Sequence, residues 1–216
     1  MDALVRYRLT EAATTADIDE ALALLDADER RRYERLLDDS TRREFALAHA
    51  LLRITLSDCA HIPPGDWRFE QAPGGKPRLP QNSPYPLVFS LSHTHGLVAC
   101  IVASKGDVGI DVEHVSRSTD WRGIAKRYFA TQEVAGLERI TESDRQTRFY
   151  ELWTLKEALA KTLGVSVTSV LSSARFTIED RGRIHATLPE HVQAGDWRFG
   201  LSAPSPTHRC ATSMRL

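Results

Sequence analysis

Two acids close an apolar run at Gly109-Ile110-Asp111-Val112-Glu113. Side chains alternate on a strand, so Asp111 and Glu113 share one face and Ile110 and Val112 the other. Carboxylates about 7 Å apart on one face repel unless a cation relieves them. Mg²⁺ suits such a pair, since it takes oxygen ligands, often one or two carboxylates plus substrate phosphates. A strand edge whose acids merely face water gives the same pattern. A second group lies in Trp153-Thr154-Leu155-Lys156-Glu157-Ala158-Leu159-Ala160-Lys161. At about 100° per residue, Phe149, Leu152, Trp153, Leu159, Ala160 and Leu163 form an apolar stripe. Lys156 falls inside it, where an ammonium needs an anion or a route to solvent. Glu157 and Lys161 sit at its margin one turn apart, the spacing of an ordinary i,i+4 ion pair. A third group is Gly75-Lys76-Pro77-Arg78-Leu79 with Ser92-His93 downstream. A lysine on a rigid Gly/Pro turn can clamp phosphate, and a histidine after a buried strand can hydrogen-bond a phosphate oxygen. A plain turn and a core-edge histidine read the same way.

The elements that must position these groups follow from periodicity. Helical spacing runs over 17–37, with Ile18, Leu22, Leu25, Tyr33, Leu36 and Leu37 apolar and Asp17 and Asp28 where N-caps are useful. A second helix is predicted over 41–58, with Phe45, Ala48, Leu52 and Leu56 on one face. Residues 66–70 read as a strand entering the turn 73–77, and 80–86 as a loop. Continuous apolar runs at 87–91 and 97–103 read as buried strands around the polar break Ser92-His93-Thr94-His95-Gly96, followed by a strand at 108–112. Residues 121–138 read as helical. The helix over 143–163 carries a capping box, Ser143 with Gln146, and a stop at Gly164. Short strands follow at 174–178, 183–188, 197–202 and 209–214. The fold class is α+β, read as a pseudo-twofold duplication of two similar α/β halves, 1–105 and 106–216, each with a small antiparallel sheet and helices. The pentapeptide Gly-Asp-Trp-Arg-Phe recurs at 65–69 and 195–199. Its copies open different points of the strand series, so it reads as coincidence; Trp67-Arg68-Phe69 should instead match Ala174-Arg175-Phe176.

Composition narrows the classes. The 216 residues carry 28 Lys+Arg against 29 Asp+Glu, and the pI is about 6.7, which argues against a general nucleic-acid binder. No run of eighteen apolar residues spans a membrane, and the first residues lack the apolar core of a signal peptide. A cytoplasmic location is therefore expected. Cys59, Cys100 and Cys210 are widely spaced and odd in number, so they read as small buried apolar residues rather than a disulfide or zinc framework. Only five lysines occur, at 76, 105, 126, 156 and 161.

Taken in order, G-K-P-x-L, F-S-L-S-H-T, G-I-D-V-E and F-Y-x-L-W-T-x-K-E-A-x-x-K resemble the 4′-phosphopantetheinyl transferase superfamily, in particular its Sfp-like, internally duplicated group. The resemblance implies transfer of the 4′-phosphopantetheine arm of coenzyme A to a serine of an apo acyl, peptidyl or aryl carrier protein, releasing adenosine 3′,5′-bisphosphate. It implies Mg²⁺, with Mn²⁺ as an alternative, on Asp111, Glu113 and Glu157. Glu157 would also be the general base, and Lys161 would stabilise or protonate the departing phosphate. Lys76, Ser92 and His93 match positions that hold the coenzyme A phosphates, with Lys156 expected nearby. For the 3′-phosphate, Arg53, Arg43 and Arg32 remain candidates, because Glu44 stands where the family pattern has an arginine. Arg122, Lys126 and Arg127 could meet an acidic carrier, and Val165, Val167 and Val170 could add apolar contacts. The duplicated form implies a monomer. A metal-dependent coenzyme A pyrophosphate hydrolase and a non-catalytic coenzyme A-binding module are the alternatives.

Overall fold

The computed structural model describes residues 3–72, 76–116, 119–179, 182–190, 192 and 195–216. Pro73, Gly74 and Gly75 of the expected turn lie outside them. The chain divides into two units, Met1–Val108 and Gly109–Leu216.

The first unit begins with strand β1 (Leu4–Leu9) and helices α1 (Thr15–Leu24), α2 (Ala27–Arg35) and α3 (Asp39–Ala60). Strands β2 (Glu70–Gln71), β3 (Pro77–Arg78), β4 (Val88–Thr94) and β5 (Leu97–Ala103) follow. The single helix expected over 17–37 is two. The Asp26 carboxylate accepts from the backbone N–H groups of Asp28 and Glu29, both at 2.9 Å, and so starts a new helix. Thr14 likewise caps α1, and Asp38 caps α3 by accepting from Thr41 N at 2.7 Å. The strand expected at 66–70 is reduced to Glu70–Gln71, preceded by a 3-10 turn over Pro64–Asp66. Strand β4 passes through the expected polar break as far as Thr94. Ser92 and Thr94 are buried while His93 points out, which is strand alternation rather than a loop. The turn is His95-Gly96 alone, with Gly96 at φ 84°, a conformation suited to glycine. Both outer strands pair antiparallel with β5, in the order β1-β5-β4. Every residue of β5 is buried. Leu52, Leu56, Trp67, Phe89, Cys100 and Val102 form one core cluster of this unit.

Strand β6 (Asp107–His114) crosses the division. Helices α4 (Trp121–Tyr128), α5 (Thr131–Arg139) and α6 (Glu142–Leu163) follow, then strands β7 (Arg175–Ile178), β8 (Ile184–Thr187), β9 (Trp197–Ser205) and β10 (His208–Arg215). The larger sheet runs β6-β10-β9. Helix α6 is buried on most sides rather than along one stripe: Tyr150, Thr154, Leu155 and Ala158 are as enclosed as Phe149 and Leu159. Its expected capping box is absent. Gln146 instead donates to Val115 O at 2.7 Å, and Thr141 Oγ1 donates to Asp144 Oδ2 at 2.5 Å. Gly164 ends the helix in the left-handed region, at φ 68°, as expected.

Each unit thus runs strand, three helices, four strands, with its last strand central in a three-stranded sheet. The third helix has 22 residues in both. A 3-10 turn follows it in both, at Pro64–Asp66 and Val167–Ser169. Trp67 and Ala174 come after those turns, whereas the second Gly-Asp-Trp-Arg-Phe opens β9. The identical pentapeptides therefore occupy different places in the repeat.

Candidate active site

Glycine at the head of the G-I-D-V-E run has a packing cause. A Cβ on Gly109 would stand 2.0 Å from Ala158 O and 2.8 Å from Thr162 N. The backbone of α6 therefore lies directly against β6 there. Strand alternation puts Gly109, Asp111 and Glu113 on that same face. This close approach brings Lys161 Nζ to 2.8 Å from Asp111 Oδ1, where it donates a hydrogen bond. Asp111 is buried and Glu113 half-buried. The Glu157 carboxyl, one turn before Lys161, is pushed up to about 7. Burial contributes most, the Asp111 and Glu113 charges add to it, and Lys161 opposes it. Two elements thus bring four charged groups into one electrostatic neighbourhood, and a carboxyl titrating near neutrality suits general-base work.

Among the described residues, no three His, Cys, Asp or Glu side chains enclose a metal site by themselves. Mg²⁺ does not require one, because it keeps waters and binds through one or two carboxylates plus substrate phosphates. An all-carboxylate donor set in which Asp111 and Glu113 raise the pKa of Glu157 fits a hard divalent cation.

Two of the expected coenzyme A ligands are placed elsewhere. Lys156 is fully buried. Its ammonium pairs with Glu133 Oε2 at 2.9 Å and donates to the carbonyls of Leu171, at 2.8 Å, and Ala174. The ring of Phe129 lies 5.1 Å away. Burial pulls its pKa down against the opposing pull of Glu133. The anion that a lysine in an apolar stripe requires is therefore Glu133, not a phosphate. Arg53 is equally buried. Its Nε and Nη2 donate to Glu29 Oε2 at 3.0 and 2.6 Å, and Nη2 also reaches Asp26 Oδ2 at 3.0 Å. Nη1 donates to the carbonyls of Pro64 and Trp67, both at 3.0 Å. All five guanidinium N–H donors have acceptors, so none remains for a 3′-phosphate. Burial raises the Glu29 pKa, but the His49 hydrogen bond, the His49 and Arg53 charges and the Asp26 N–H outweigh it and hold it at about 2.

The remaining arginine candidates separate. Arg43 is exposed, with Nη1 3.5 Å from Ala13 O. Arg32 lines a cavity of about 400 Å³ with Arg31 and Arg35, but Asp26, Asp28, Glu29 and Glu70 line it too, and Arg31 pairs with Asp28. Arg31 and Arg35 are not among the candidates that the sequence pattern singles out, although R-R-R at 30–32 is visible there. Lys76 is half-buried, Ser92 buried and His93 exposed. Val170 is fully buried and Val167 packs on the core, which leaves Val165 as the exposed valine. Cys100 and Cys210 are buried, their thiols pushed up to about 11 and about 12 chiefly by burial; Cys59 is only half-buried. No helix among the described residues is long and apolar enough to cross a membrane.

A family model described as the 4′-phosphopantetheinyl transferase superfamily matches residues 107–213. The 4′-phosphopantetheinyl transferase HetI of Nostoc sp. is 29% identical over 165 residues, covering 76% of this chain and 70% of that protein. The 4′-phosphopantetheinyl transferase AcpT of Escherichia coli O157:H7 is 30% identical over 176 residues, covering 81% and 82%. A crystal structure of a holo-(acyl-carrier-protein) synthase from Bacillus anthracis in complex with CoA (3′,5′-ADP) has a TM-score of 0.44 and 16% identity, covering 50% of this chain and 94% of that one. With identity of this extent along most of both chains, and with the acids of β6 and α6 brought together, the chain belongs to the 4′-phosphopantetheinyl transferase superfamily.

Proposed function

We propose that the protein transfers the 4′-phosphopantetheine arm of coenzyme A to a serine hydroxyl of an apo acyl, peptidyl or aryl carrier protein. The observation that carries this reading is the close approach of α6 to β6 at Gly109, which sets Lys161 2.8 Å from Asp111 and brings Glu157 under the charges of Asp111 and Glu113. Asp111, Glu113 and Glu157 would hold Mg²⁺, or Mn²⁺ in its place. When bound, that ion supplies positive charge for the diphosphate and the charge that builds on it during transfer. Glu157 takes the proton from the attacking serine oxygen, directly or through water. Lys161 donates to the departing phosphate oxygen, and Asp111 fixes its ammonium through the 2.8 Å hydrogen bond. Lys76, Ser92 and His93 hold coenzyme A phosphate oxygens. Arg32, with Arg35 on the same cavity, is the proposed anchor of the 3′-phosphate, Arg31 being paired with Asp28. One chain supplies every group named, which supports action as a monomer, in the cytoplasm where coenzyme A and carriers meet.

Incubation with apo carriers, coenzyme A and Mg²⁺ tests this by mass spectrometry. One phosphopantetheine should be added per carrier, and addition should fall about 10²–10⁴-fold in Glu157→Gln, the range of a lost general base. Carriers left unmodified across acyl, peptidyl and aryl types would overturn it, and cleavage of coenzyme A without carrier would favour hydrolysis.

A further inference from the structure

The carboxylate standing where the family pattern has an arginine is not idle. Glu44 is buried on α3. Its Oε1 accepts from Ser40 Oγ at 3.1 Å and from the backbone N–H of Gly96 at 3.3 Å. Its Oε2 lies 3.6 Å from His93 Nδ1, and its Oε1 lies 3.8 Å from His95 Nδ1. Two exposed imidazoles, two residues apart across the end of β4 and its turn, thus converge on one enclosed carboxylate that the fold holds by two further hydrogen bonds.

We infer that Glu44 is a positioning residue for His93: its enclosed carboxylate, 3.6 Å from Nδ1, fixes how the ring sits on β4 and so aims the Nε2 edge at a coenzyme A phosphate oxygen. This rests on the proposed reading of His93 as a phosphate ligand. A buried carboxylate that is itself held by two hydrogen bonds gives one ring nitrogen a fixed neighbour, and so fixes which edge of the ring is left for a ligand. An arginine at position 44 would contact an anion itself. A glutamate would repel one in direct contact, so its contribution must pass through the ring in front of it, His93.

Glu44→Gln is the informative variant. Its amide oxygen can still accept from Ser40 Oγ and Gly96 N–H, so the turn is kept, but its NH₂ now faces His93 Nδ1 where a carboxylate oxygen stood. With an apo carrier, coenzyme A and Mg²⁺, the KM for coenzyme A should rise about 10-fold and kcat stay within about 2-fold, a loss the size of one charge-assisted contact. Glu44→Asp should recover part of the loss. His93→Ala should raise the same KM, and the double variant should be no worse than His93→Ala alone, because the two residues act as one unit. The ring nitrogen chemical shifts of His93 should change in Glu44→Gln. If His93→Ala leaves the KM unchanged, the phosphate-ligand reading fails. If His93→Ala raises it while Glu44→Gln leaves both the KM and the ring shifts unaltered, the inference about Glu44 fails alone.

Discussion

Lys156 and Glu157 are neighbours in sequence with opposite fates, because one step on a helix turns a side chain by about 100°. The lysine enters the core of its unit and the glutamate faces the acids of β6. Sequence reasoning reads correctly that an ammonium among Phe149, Leu152 and Leu159 needs an anion. It misplaces the anion, because Glu133 reaches Lys156 from another helix and no local spacing marks that meeting. Glu133 is held by more than its ion pair: it accepts from the N–H of Ala130 at 3.1 Å and of Phe176 at 2.9 Å. Lys156→Ala would leave that carboxylate buried without its cation, at a cost of about 3–5 kcal/mol. Urea unfolding should show this, while the KM for coenzyme A of the folded fraction stays within about 2-fold. Lys156→Met with Glu133→Leu should recover most of the stability, since apolar replacement of a whole buried pair is often close to neutral. An unchanged unfolding midpoint with a KM raised 10-fold would return Lys156 to the phosphate site.

Elements show the same economy twice. Arg53 is the fifteenth residue of α3 and Lys156 the fifteenth of α6, and each pairs with the third residue of a preceding helix, Glu29 of α2 or Glu133 of α5. In both units a buried cation also donates to carbonyls just past the long helix, which ties helix, turn and neighbouring helix together. The strands and long helices are legible in the sequence because apolar runs and helical spacing cover whole elements. The breaks at Asp26 and near Ala130 are not, because acids that cap a helix look like acids on a continuous one. Strand β1 is missed for a related reason: Val5, Tyr7 and Leu9 are its exposed set, while Arg6 and Arg8 pair with Asp58 and Asp17. Gly109 is legible as part of a motif, but only the packing gives its cause. Gly109→Ala must push α6 off β6, so it should cost about 1–3 kcal/mol, the range for an overpacked core. It should also lengthen the Asp111–Lys161 contact, lowering kcat at least 10-fold at a temperature where the variant is folded. Calorimetry and the transfer assay read the two effects separately. A stable, fully active variant would mean that the close approach positions nothing.

At the scale of the whole molecule, a net charge of −1 offers an acidic carrier neither attraction nor repulsion at long range, so any complementarity must be local. Helix α4 concentrates three cations in eight residues, but they are not equivalent. Arg122 pairs with Glu142 and lies 4.4 Å over the Trp121 ring, so part of its charge is already met. Arg127 lies 5.2 Å over Tyr128, a contact that leaves the guanidinium charged, and Lys126 borders a small cavity with Trp121, Leu137 and Glu138. If this face receives the carrier, Lys126→Glu with Arg127→Glu should raise the KM for an acidic carrier about 10-fold at 50 mM salt and leave the KM for coenzyme A unchanged. The difference should shrink in 0.5 M salt, where screening is complete within a few ångströms. Arg122→Glu should do less, since it forfeits a charge that Glu142 already offsets. Equal KM values for carrier in wild type and double variant at low salt would move the docking face off α4 altogether.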